Sequence, residues 1–114
     1  MLTIEKLKDY GANVEEGLSR CLGNEDFYIR LVNLALADGG FDRLSEAVKS
    51  ADMTASFEAA HALKGMLGNL ALTPMFAPAS EMTELLRSRE AADYETYLQI
   101  ILEQRDKLAA LAAD

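Results

Sequence analysis

The chain has 114 residues, of which 50% are hydrophobic and 26% charged, with a formal net charge of −8. This is the composition of one ordinary globular domain able to bury roughly two-thirds of its unfolded surface, and the acidic balance argues against nucleic acid, whose phosphates call for Lys and Arg. No apolar run reaches the roughly 18 residues that span a bilayer, the first residues lack the apolar stretch of a signal peptide, and the single Cys21 has no partner for an internal disulfide.

Cys21 reads as a small apolar filler rather than a reactive thiol, and an unpaired cysteine fits a reducing cytoplasm. Two prolines and seven glycines interrupt a sequence otherwise rich in Ala, Leu, Glu and Met, which are strong helix formers. There is no alternating Val/Ile/Thr run that would suggest a strand.

Taken in chain order, short helices are predicted over about 3–9 and 13–22, with breaks at Gly11 and Gly23. Asn24 is placed to cap the next helix, and Glu25 and Asp26 suit its positive end. Phe27, Leu31, Leu34 and Leu36 supply that helix with an apolar stripe. Asp38-Gly39-Gly40 ends or kinks it. The helical pattern resumes from Phe41 to about Ser50, with Leu44 and Val48 inward, so 24–50 is one kinked helix or two. Asp52 or Thr54 caps a helix that runs to about Leu72. Thr73-Pro74 then offers a hydroxyl cap followed by a first-turn proline. Phe76, Ala79, Met82, Leu85 and Leu86 lie on or near one face of that helix, and Pro78 is close enough to its start to be tolerated. Asp93 opens the last helix, where Tyr94, Tyr97, Leu98, Ile101, Leu102, Leu108 and Leu111 are available to pack. Amphipathic helices with short connections fit an antiparallel bundle.

The chain has one histidine, His61. At about 100° per residue, Leu63 and Leu70 fall at roughly 200° and 180° from it, so the core stripe lies behind His61 and the imidazole faces outward. Ala59, Met66 and Leu67 share the side of those leucines. Gly65 and Gly68 project within about 40° of His61 and Lys64 lies at about 60° on one flank, with Phe57 and Glu58 one turn earlier. Each mid-helix glycine costs roughly 0.8–1 kcal/mol relative to alanine, so a compensating role is expected. Removing side-chain bulk beside the imidazole lets another protein approach it, and Lys64 attracts an anion to the same place. Imidazoles ordinarily titrate near roughly 6.5, so much of the neutral, nucleophilic form is available at neutrality. A lone histidine without such context reads more readily as an ordinary surface residue, the glycines admitting a neighbouring helix; with Gly65, Gly68 and Lys64 beside it the two readings are evenly matched.

The segment His61-Ala62-Leu63-Lys64-Gly65-Met66-Leu67-Gly68-Asn69-Leu70 resembles the signature of histidine phosphotransfer (HPt) domains, which reads His-x-Leu-Lys-Gly, small residues, then Leu-Gly. The resemblance extends over most of the chain. It implies an antiparallel four-helix bundle over about 24–112, with small extra helices over about 3–22, all in one domain, 1–114. It implies that His61 is the phosphoacceptor, that Lys64 helps neutralise the phosphoryl group, and that Gly65 and Gly68 give a docking receiver domain steric access. Leu63 and Leu70 would be core anchors. The implied partners are the receiver domain of a hybrid sensor histidine kinase and a response regulator; no cofactor, metal, nucleic acid or membrane is called for, and a monomer is expected. Met66 and Leu67 stand where the family often has Ser or Ala, and Ala71 stands where it usually has glycine, a substitution conservative in size. Met1 and the complete bundle favour a whole small protein.

The alternative is a non-catalytic helical interaction module that uses the His61 face only for docking. A metal or haem bundle has a poor ligand set, since Glu58 and His61 form one Glu-x-x-His without a second. No Gly-rich phosphate loop for ATP and no hydrolase pattern stands out.

Overall fold

The computed structural model describes every residue from Met1 to Asp114 and consists of seven helices, with no strand. They are α1 (Ile4–Tyr10), α2 (Val14–Arg20), α3 (Glu25–Leu36), α4 (Gly40–Lys49), α5 (Met53–Asn69), α6 (Thr73–Arg87) and α7 (Tyr94–Ala113). The region 24–50 is therefore two helices. The Asp38 carboxylate accepts from the Gly40 N–H at 2.8 Å and starts α4 afresh.

Most helix starts are side-chain caps. Thr3, Asn13, Asn24, Asp52 and Asp93 each accept from the backbone N–H three residues on, satisfying a donor the helix itself cannot. Asp52, not Thr54, caps α5; the Thr54 hydroxyl instead accepts from Arg89 at 3.0 Å. Thr73 is not a cap either. It is the first residue of α6, whose N-cap, Leu72, has no side-chain cap bond.

Helix ends follow a rule that composition hides. At the ends of α2, α4, α5 and α6, Leu22, Ala51, Ala71 and Arg89 take positive φ of 57°, 54°, 54° and 52°. In each case the next residue's N–H reaches back to a carbonyl five residues earlier: Gly23 to Leu18, Asp52 to Ala47, Leu72 to Leu67, Glu90 to Leu85. This is the Schellman closure, which glycine normally serves. At Ala71 the family's usual glycine is thus a matter of backbone conformation, so replacement by alanine is conservative in size but not in strain.

The helices α4, α5, α6 and α7 pack in a ring, each against the next, and α7 closes back on α4. Their buried side chains include Phe41, Leu44, Leu63, Leu67, Met75, Met82, Ile101 and Leu108. Gly40 lets α4 approach α5 closely: a Cβ there would stand 3.1 Å from the Leu63 side chain. In α6, Met75, Ala79, Met82 and Leu86 face the core, with Phe76 and Leu85 only half-buried.

In α3 the stripe differs from expectation. Phe27 and Leu34 are 46% and 60% exposed, while Tyr28, Val32 and Ala35 are buried. Two adjacent apolar rows share the i, i+4, i+7 spacing, and the tertiary fit chooses between them. The Tyr28 hydroxyl donates to the Leu70 carbonyl at 2.7 Å, and its ring fills the place where a Cβ on Gly17 would sit. Burial pushes that hydroxyl up to about 12.

The short N-terminal helices are tied down. Lys6 Nζ donates to the Leu111 carbonyl at 3.1 Å and the Tyr10 hydroxyl to the Gln104 carbonyl at 3.2 Å, so α1 lies along the end of α7. Leu2, Leu7, Val14 and Cys21 belong to the same buried cluster as the ring. Cys21 is free and buried, as an apolar filler would be. No helix is long and apolar enough to cross a membrane.

Candidate functional site

The helix α5 presents two faces. Ser56, Ala60, Leu63 and Leu67 are buried, and His61 lies on the exposed side, where the helical wheel puts it. Every buried polar side-chain atom of the protein has a hydrogen-bond partner, so the outward histidine is not there to satisfy the core.

One turn before it, Phe57 is stacked on the imidazole, with ring centroids 5.6 Å apart and planes inclined by 14°. Arg87 of α6 places its guanidinium 5.0 Å from the centroid of the Phe57 ring. One turn after His61, Lys64 is partly buried, with its Nζ 3.6 Å from Glu84 Oε2 on α6. Glu84 also accepts from Arg87 Nε at 3.3 Å. The Arg87 hydrogen bond, with help from Lys64, holds the Glu84 carboxyl below the usual carboxylate range. Lys64 is thus positioned by a carboxylate that sequence reasoning overlooked, because Glu84 is twenty residues away and belongs to another helix.

The two glycines part company. No atom outside its own helix lies within 4 Å of a Cβ built on Gly65, so this position leaves open space beside His61. A Cβ on Gly68 would stand 2.9 Å from Phe76 Cε1 and 3.1 Å from its Cδ1. Gly68 lines the same groove as His61, but the space directly over it is taken by the protein's own Phe76, and the glycine admits that ring.

His61, Lys64, Gly65 and Asn69 line one open groove with Phe76 and with Arg20 of α2. Arg20 donates to the Gly68 carbonyl and pairs with Glu16. It brings a second cation to the groove, and nothing in its sequence surroundings marks it. No three His, Cys, Asp or Glu side chains gather where they could hold a metal ion.

An exposed histidine on a helix, a lysine one turn on and an open glycine beside it are what the family signature asks for, and comparison with family models decides the matter: the Hpt domain model matches residues 34–114. The chain belongs to the Hpt domain family. The match covers well over half of the chain, taking in the whole helical ring and His61, Lys64, Gly65 and Gly68, while α1, α2 and most of α3 lie before it. A comparison with curated proteins finds no match, and neither does one with solved structures. Hpt domains are helical phosphotransfer modules of phosphorelays, carriers rather than kinases, and they act with receiver domains.

Proposed function

We propose that this Hpt protein carries a phosphoryl group on His61 between the aspartate of a hybrid kinase's receiver domain and that of a response regulator. The observation that carries the reading is the single histidine standing on the exposed face of α5 with an unobstructed Gly65 and a fixed Lys64 beside it.

In the first transfer, an imidazole nitrogen of His61 attacks the phosphorus of the receiver's acyl phosphate. A P–N bond forms as the P–O bond to the aspartate breaks, the aspartate leaves as carboxylate, and the proton on the imidazole goes to solvent. The second transfer reverses this onto another aspartate. Lys64 and Arg20 supply positive charge at the groove, where the phosphoryl oxygens bring negative charge. Gly65 leaves room for the receiver's backbone. ATP is not a substrate in this scheme, so ATP alone should leave the protein unlabelled.

The whole chain acts as one module in this reading, since residues from Leu2 to Leu108 share one buried cluster. The short connections at 50–52 and 70–72 support antiparallel neighbours in a four-helix bundle. The protein works as a monomer in the cytoplasm, where an unpaired cysteine is at home.

The test mixes a receiver domain carrying radiolabelled phosphate with this protein and with His61→Gln. Acid-labile, base-stable label on the wild type and none on the variant is the expected result. If a panel of receivers leaves the folded wild type unlabelled, the protein is a docking module without chemistry.

A further inference from the structure

We propose that Phe57 is a positioning residue for His61: stacked on the imidazole and held in turn by Arg87, it keeps the ring in the one orientation from which transfer proceeds. This rests on the reading of His61 as phosphoacceptor.

An imidazole on an exposed helix face is free to turn about its side-chain torsions. Transfer requires its lone pair to point at phosphorus along the line of the breaking bond, and productive geometries tolerate only about 10–20° of error. Residues at i and i+4 meet on a helix. Here that pairing joins two rings almost parallel, 14° apart in inclination at a centroid separation of 5.6 Å. Phe57 is half-buried and packs against the core, so the ring is anchored and does not merely follow the imidazole. Arg87 approaches Phe57 from another helix, at 5.0 Å from the ring centroid, inside the roughly 6 Å range of a cation–π contact. Glu84 holds Arg87 at 3.3 Å and Lys64 at 3.6 Å. One carboxylate on α6 thereby steadies both the support behind the imidazole and the cation beside it, so the site is oriented from α6 although its chemistry stands on α5.

The experiment compares wild type with Phe57→Leu, Phe57→Tyr and Arg87→Met. The ring protons of His61 are followed by NMR in the unphosphorylated protein, and receiver affinity and transfer rate at saturating phospho-receiver are measured separately. In the wild type the stacked phenyl shields the imidazole protons. Phe57→Leu should move them downfield and slow transfer at saturation by about tenfold, with receiver affinity unchanged. Phe57→Tyr, which keeps the stack, should restore both, and Arg87→Met should shift both in the direction of Phe57→Leu by less. Arg87→Met keeps the test available if Phe57→Leu does not fold. Unshifted ring protons with a wild-type rate in Phe57→Leu and Arg87→Met overturn the proposal, as does a loss expressed wholly in receiver affinity, which would make Phe57 a docking contact. A wild type that takes no label overturns the phosphoacceptor reading first and this proposal with it, an outcome distinct from a wild type and variants that all transfer alike.

Discussion

Gly65 and Gly68 stand three residues apart on one helix, on the same side as His61, yet one borders open space and the other is pressed by a phenyl ring of α6. The difference divides the surface of α5 into a front that is free beside the histidine and a flank where the protein's own packing has taken the room. A glycine in a signature motif therefore has two physical uses, and only its neighbours across the fold tell them apart.

Substitutions can break or sharpen that contrast. The largest effect is expected at the front itself: His61→Gln should abolish transfer of labelled phosphate while leaving the circular dichroism and melting of an exposed position unchanged. Behind it, Leu63 is 1% exposed, and Leu63→Ala should lower unfolding free energy by about 2–5 kcal/mol in urea titrations, impairing transfer only as folding is lost.

Gly68→Ala comes next. The new methyl meets Phe76, and overpacking of this kind costs about 1–3 kcal/mol, partly offset by alanine's better helix propensity. Adding Phe76→Leu to the same chain should recover much of the loss, and a double-mutant cycle without coupling would remove the contact from the account. At Gly65 the sign reverses. With nothing to meet, Gly65→Ala should raise stability by about 0.8–1 kcal/mol, and the bulkier Gly65→Gln should stay folded yet slow transfer by crowding the receiver. A Gly65→Gln protein that transfers at the normal rate would remove the argument for steric access.

The smallest effect belongs to the end of the helix. Ala71 closes α5 at φ 54°, and Ala71→Gly should raise stability by about 0.5–1 kcal/mol by relieving a left-handed backbone. Unchanged melting there would show that the surrounding hydrogen bonds hold the conformation without measurable strain.

Much of the site was legible because its parts are local. His61, Lys64 and Gly65 lie within five residues, and a helix converts that spacing into direction without help from the rest of the fold. The caps at Asn24 and Asp93 were readable for the same reason, and Asp52 was one of two candidates: a side chain three residues before a free N–H needs no distant partner. The stripe of α3 was misread because Phe27 and Tyr28 head equally good apolar rows, and the choice falls to a hydroxyl that finds the Leu70 carbonyl and a ring that fits over Gly17.

The sequence by itself determined an all-helical chain, the outward direction of His61 and the identity of the lysine and the two glycines beside it, since these follow from periodicities of a few residues. Only the tertiary structure decided that Phe76 fills the space over Gly68, that Glu84 holds Lys64 and Arg87 together, that Arg20 reaches the groove from α2, and that Ala71 adopts a backbone suited to glycine. Each of these joins residues whose separation along the chain carries no information about their distance, or depends on how one helix must turn to meet the next.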